Sequence, residues 1–242
     1  MKRGDVLVDR CPSGVPGFDN LCEGGFVRGS LNAILGDAGA GKTIFLLQYL
    51  YTGATENKEN GIYISFEPDV VELFKDANRF GWDFQKLDNL GKVKFFKLSP
   101  QTQVSEIKRE LTKLISKYDI KRVCFDPIGL FQAGEESGAR IRIQIFDLMS
   151  LLKRLNVTVL LADESPSSGE NAPTSSADQK SQYTRFLADG LVDLYSSGLG
   201  GVSDRAVRIA KMRRTNHTRG PVPMKISDDG MDVLAKSKRG LL

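Results

Sequence analysis

Eight consecutive residues, Gly36-Asp37-Ala38-Gly39-Ala40-Gly41-Lys42-Thr43, constrain this chain more than any other feature. They satisfy G-x-x-x-x-G-K-[ST] at every specified position. They also lie between an apolar β-rich run, residues 30–35, and an apolar helical run that opens at Ile44, the strand–loop–helix setting this motif requires. Gly36, Gly39 and Gly41 permit backbone angles that turn successive N–H groups into one concavity, an anion nest. The helix that follows adds its partially positive N-terminus. Lys42 is then placed for the β- and γ-phosphates of a nucleotide, and the Thr43 hydroxyl for Mg²⁺. The motif predicts a nucleoside triphosphate site. Its glycine spacing is not G-x-G-x-x-G, which argues against a dinucleotide cradle.

The rest of the chain supplies a scaffold for such a loop. Residues 30–35, 61–66, 93–98, 122–125 and 157–162 are near-continuous apolar runs rather than strict alternations, the signature of strands covered on both faces. Helical patterns lie between them. Val104, Ile107, Leu111, Leu114, Ile115 and Tyr118 recur at steps of three and four, giving a helix one apolar stripe. Alternating strands and helices with short links predict an α/β fold, a mostly parallel sheet with helices on both faces. Residues 166–182 contain nothing apolar larger than Ala and Pro and read as a long loop. Beyond them, residues 191–195, 206–214, 222–227 and 231–234 read as strands joined by Gly and Asp turns, hence antiparallel hairpins. No internal repeat or linker divides the 242 residues, so a single domain is expected, with its core at about 12–234.

Composition narrows the remaining classes. A net charge of +4 is too small to argue for nucleic acid or a membrane surface. Three cysteines without CxxC spacing and a single histidine, His217, suit neither a zinc site nor a disulfide framework. The longest clean apolar run, residues 157–162, falls far short of the roughly 20 residues of a membrane span. The first residues lack the apolar core of a signal peptide. A cytoplasmic protein is expected.

Carboxylates at predicted strand ends complete the chemistry. Asp126 closes the run at 122–125, where ligands collect at the carboxyl edge of a parallel sheet; it is the expected Mg²⁺ partner of Thr43. Glu67 and Glu164 end two further runs, and either carboxylate can polarise an attacking water.

The loop, Tyr63-Ile-Ser-Phe-Glu67, Arg79-Phe-Gly-Trp82-Asp83, Val123-Cys-Phe-Asp126 and Lys211-Met-Arg-Arg-Thr-Asn-His217 together resemble a KaiC domain of the RecA superfamily. The openings at 13–21 and 24–29 fit the same pattern, so the likeness runs nearly end to end, to a stand-alone single domain. The resemblance implies an ATPase core assembling as a ring, commonly a hexamer, with ATP and Mg²⁺ at each subunit interface. It assigns the cradle from Gly36, Ala38, Gly39, Ala40, Gly41, Lys42 and Thr43 to Ile44, with Arg79, to one copy. Lys211, Met212, Arg213, Thr215 and His217 would approach the phosphates from the next copy, with Ser227 and Asp228 near that neighbouring nucleotide. It also favours Glu67 as base. Residues two apart on a strand share a face, so Lys211, Arg213 and Thr215 are expected on one side.

Two departures bear on rate. Where the family shows two adjacent glutamates, Glu67 is followed by Pro68, which points to slow turnover or to an ATP-gated assembly or signalling module. Pro127 follows Asp126, and proline restricts the residue before it. Hydroxyl residues within 174–181 offer acceptors for autophosphorylation. Residues 205–219 hold six basic residues and no acid, the best argument for a recombinase-like DNA partner. In RecA-type proteins, however, single strands contact loops like 166–182, and that segment carries Glu170, Asp178 and Lys180 without an aromatic. Single-strand sites need basic grooves and stacking rings, so DNA ranks last among the partners.

Overall fold

A computed structural model describes residues 8–66, 69–99, 102–128, 138–164, 184–198 and 204–235. Two short strands, β1 (Arg10–Cys11) and β2 (Phe26–Val27), pair antiparallel by themselves. The expected apolar runs become β3 (Leu31–Gly36), β4 (Asn60–Ser65), β5 (Val93–Lys97), β6 (Ile120–Asp126) and β7 (Thr158–Glu164). They are followed by β8 (Gly190–Ser196), β9 (Arg205–Met212), β10 (Val222–Ser227) and β11 (Gly230–Val233). These nine form one sheet in the order β11-β10-β9-β8-β3-β7-β6-β4-β5. Residues 166–182, like Glu67 and Pro68, lie outside the described residues.

The run at 191–195, expected in an antiparallel hairpin, has two partners of different sense. β8 pairs parallel with β3, from Asn32↔Gly190 to Gly36↔Leu194, and antiparallel with β9. Its residues 190–194 are all buried, as befits a strand covered on both faces. It therefore belongs to the parallel core and carries the antiparallel extension on its outer side.

Helices cover both faces. α1 (Lys42–Thr55) packs on one face with α2 (Val70–Asn78) and α3 (Phe84–Asn89), in a core with Ile34, Tyr63, Leu160 and Val192. α4 (Val104–Tyr118) and α5 (Gly138–Arg154) cover the other face, against Leu31, Ile62, Val123 and Leu161. The predicted stripe of α4 is the buried one: Val104, Ile107, Leu111 and Ile115. α1 is apolar on more than one side because the β10–β11 hairpin covers it as well. Gln48 donates to Met231 O at 3.0 Å and accepts from Met231 N at 2.8 Å. Phe45, Leu46, Leu47 and Leu50 are thereby almost wholly removed from water, each contributing about 1.5–3 kcal/mol.

Two local devices hold the frame. Val233 N donates to Pro16 O at 2.9 Å, and Gly17 (φ +77) sits so close that a Cβ would lie 2.0 Å from Val233 O. At the amino end of β6, Arg122 is fully buried. Its guanidinium pairs with Glu59 at 2.6 Å and donates to Tyr49 O at 2.7 Å and Asn57 Oδ1 at 3.1 Å. It also lies over the Tyr49 ring at 4.4 Å. Among the described residues, no helix is long and apolar enough to cross a membrane.

Candidate nucleotide site

The cradle forms where β3 ends and α1 begins. Gly39 (φ +77) and Gly41 (φ +101) take left-handed angles, Gly41 as the N-cap of α1. That region is strained for any residue with a side chain. Ala40 N closes a turn on Asp37 O at 3.1 Å, and Phe45 N bonds Gly41 O at 3.0 Å. Gly36 lies against β8, where a Cβ would come 2.6 Å from Leu194 O. Ala40 is buried and Ile44 packs against the core, so both fix the loop by packing. The Lys42 ammonium donates to Gly36 O at 2.7 Å and to Asp37 O at 3.0 Å. It rests on its own loop.

Asp126, the last residue of β6, meets this loop as expected. Its Oδ2 accepts from Thr43 Oγ1 at 2.7 Å and from the Tyr63 hydroxyl. A hydroxyl and a carboxylate in contact form an all-oxygen donor set, which suits Mg²⁺, a hard ion that keeps several waters. The Asp126–Pro127 peptide is cis. Tyr63 was not foreseen as part of the site. Burial, then the Asp126 charge, push its phenol well above the ordinary value, so it remains a donor. Tyr63 opens one of the motifs that carry the family resemblance, and alternation puts it with Ser65 on one face of β4.

Glu164 is opposite Gly36 in register. Leu160 and Ala162 point into the α1 core, so alternation sets Glu164 on the α1 face. Glu67 lies outside the described residues. Arg205, the first residue of β9, donates through Nη1 to Gly39 O at 2.8 Å, a contact no motif announced. Asp163 and Asp193 flank Leu35 in register, and both are nearly buried. Burial raises the Asp163 pKa.

The remaining expected residues divide into two groups. A Cβ on Gly41 would lie 2.9 Å from Ile226 Cδ1 and 3.0 Å from Met231 Cε, so the β10–β11 hairpin packs on this chain's own loop. Ser227 and Asp228, assigned to a neighbour's nucleotide, therefore sit beside the nucleotide cradle of their own chain. Trp82 packs on that hairpin, 2.6 Å from the Cβ position of Gly230. It stacks on Tyr51 and Phe80 at 5.8 and 4.8 Å. Arg79, exposed at the end of α2, immediately precedes this aromatic stack.

Lys211, Met212, Arg213, Thr215 and His217 are at the opposite end. β9 is antiparallel to β8, pairing Arg205 with Ser196 and Met212 with Gly190, so Lys211 lies at the amino edge of the parallel strands, away from its own P-loop. The register shifts between Leu191 and Val192, a bulge at Ala210 that turns Met212 into the core with Val207 and Ile209 and Lys211 outward. The Met212 side chain is thus core, leaving its backbone for any ligand. Strand geometry ends there, not at 214: Arg214 takes φ +58, and alternation does not carry Thr215 onto the face of Lys211. Thr215 Oγ1 instead accepts from Arg10 Nη1 at 2.7 Å. Lys211 Nζ donates to Ala188 O at 2.7 Å, and Arg213 Nε lies 4.0 Å from the Asp189 carboxylate, which Lys153 also holds at 2.7 Å. Burial, then the charges of Arg213 and Lys153, lower the Lys211 pKa. His217 Nδ1 lies 3.1 Å from Thr218 O.

A mostly parallel sheet covered on both faces, a glycine loop feeding a helix and a carboxylate at the end of a nearby strand define a P-loop protein of RecA fold. Within that class the chain belongs to the KaiC family, since the family model "ATPase: KaiC" matches residues 11–238. It is 32% identical over 236 residues to the circadian clock oscillator protein KaiC of Nostoc sp., covering 93% of this chain and 44% of that protein. Against the Synechococcus elongatus protein of the same name it is 30% identical, covering 90% of this chain and 43% of the relative. The chain thus spans less than half the length of these relatives. A crystal structure of a KaiC-like protein from Pyrococcus horikoshii OT3 superposes with a TM-score of 0.81 at 30% identity, covering 94% of this chain and all of that one.

Proposed function

We propose that this chain binds ATP–Mg²⁺ at interfaces between copies of itself in a ring and hydrolyses it slowly, in a regulatory or signalling role. The carrying observation is the separation of the two cation sets. Lys42 belongs to the cradle, whereas Lys211 and Arg213 lie at the far end of β9, where their own cradle is out of reach. Two cations with no local polyanion fit a phosphate chain presented by the next copy. Such closure from a neighbour is heterologous, and repeated around an axis it yields a ring.

On binding, Lys42 exchanges the Gly36 and Asp37 carbonyls for phosphate oxygens. Thr43 and Asp126 would hold Mg²⁺, which would supply positive charge against the phosphates. Arg213 and Lys211 of the adjacent copy stabilise the charge that develops as the terminal phosphoryl departs. Glu67 orients the attacking water, with Glu164, level with Gly36, as the alternative carboxylate. A single glutamate followed by Pro68 is consistent with slow turnover.

Two measurements test this reading. Particle mass in solution is compared with and without ATP and Mg²⁺, and phosphate release is compared between the wild type and Lys42→Ala. Growth to a multiple of the chain mass, with phosphate release lost in the variant, is expected. Equal release from both proteins, or a lone copy at every concentration, refutes it.

A further inference from the structure

We infer that Arg205 is a positioning residue that ties the phosphate loop of its own chain to the strand serving the next copy, so that β9 couples neighbouring nucleotide sites. This rests on the ring reading above and extends it from the makeup of one site to communication between two.

Arg205 opens β9, and its guanidinium holds the Gly39 carbonyl at 2.8 Å, a charge-assisted bond to the tip of the cradle. Gly39 is open on its side-chain flank: a Cβ there would meet nothing within 4 Å. The tip is therefore held by its backbone, and Arg205 supplies a tie from another element. At the opposite end of the same strand the bulge aims Lys211 outward. Its ammonium rests on Ala188 O, as the Lys42 ammonium rests on Gly36 O.

The strand between these ends is stiff. It pairs with β8 from Ser196↔Arg205 to Gly190↔Met212, and Val207, Ile209 and Met212 anchor it in the core. At about 3.3 Å per residue it spans roughly 20 Å from Arg205 to Lys211. Filling the cradle acts on Gly39 and hence on Arg205. Phosphate presented by the next copy draws Lys211 off Ala188. Both events load one packed strand with a discrete contact at each end, a contiguous route along which two sites can be coupled.

The test is calorimetric titration of the assembled full chain with a non-hydrolysable ATP analogue, using wild type, Arg205→Ala, Arg205→Gln and Arg205→Lys. A wild-type Hill coefficient different from one is expected. It should return to one in Arg205→Ala and Arg205→Gln, and be kept in Arg205→Lys, which retains charge and donor. Ring mass and thermal midpoint should be unchanged, since Arg205 is not a core residue. If Arg205→Ala fails to assemble, Arg205→Gln decides. A wild-type coefficient of one, or a wild-type coefficient in the neutral variants, overturns the inference while leaving the ring reading intact. Failure of the wild type to bind the analogue or to assemble overturns both.

Discussion

Glu59→Gln tests the buried end of β6 most directly. Arg122 has no exposed surface, and Glu59 is the carboxylate that neutralises it, bonding Nε at 2.7 Å and Nη2 at 2.6 Å. The substitution keeps size and shape and removes the charge. Stripping one partner from a buried pair costs about 3–5 kcal/mol, because the other charge stays behind unpaired. Arg122 retains Tyr49 O, Asn57 and the Tyr49 ring, which points to the lower figure, about 3 kcal/mol. At roughly 2–4 °C per kcal/mol for a chain of this size, the thermal midpoint falls by about 6–12 °C. Far-UV circular dichroism on heating measures it. The pH dependence has a fixed sign. Burial works to raise the Glu59 pKa, but the Arg122 charge, backed by bonds from Arg122 and Arg28, leaves it below the ordinary 4.5. Its contribution is therefore present above that ordinary value and disappears as pH falls through the lowered one, so the gap between wild type and variant closes in acid. The double variant Glu59→Leu with Arg122→Met, which removes both charges, should lose less than Glu59→Gln alone. A midpoint within about 2 °C of wild type at neutral pH would refute the reasoning.

Two further substitutions probe packing and burial. Asp163→Asn should stabilise by about 1 kcal/mol at neutral pH. Burial raises the pKa of this carboxyl, so its folded form favours the proton, and stability is lost as pH rises through the raised value. Urea midpoints at neutral and acid pH check this: the gain should vanish in acid, and a loss at neutral pH contradicts it. Gly53→Ala sets helix propensity against space. The new Cβ would lie 2.6 Å from Arg122 Cδ and Nε, so overpacking of about 1–3 kcal/mol outweighs a propensity gain of about 1. Increased resistance to denaturant would show that the guanidinium yields.

The cradle was legible because its chemistry is encoded in contiguous residues. Three glycines, a lysine and a threonine in fixed order specify the turn, and the meeting of Asp126 with Thr43 followed from the carboxyl edge of a parallel sheet. What depended on pairing was not legible. Nothing local in 190–196 says that one side of β8 is parallel and the other antiparallel, since the period of two is common to both. The bulge at Ala210 is a property of β9 against β8, and it decides which way Lys211 points and that Met212 is core. Arg122 read as the polar start of an apolar run, yet it is buried because Glu59, distant in sequence, neutralises it. Tyr63 and Arg205 joined the site through contacts between elements that no spacing rule records.

The resting posture of Lys42 has a consequence for selectivity. With its ammonium held by two carbonyls of its own loop, a lone small anion must displace a bond nearly as good as the one it offers. A longer phosphate chain meets the backbone N–H groups, the helix terminus and the lysine together, and its gain exceeds what is surrendered. A cradle built this way would favour a ligand by the number of contacts it makes at once, a polyphosphate above chloride or inorganic phosphate.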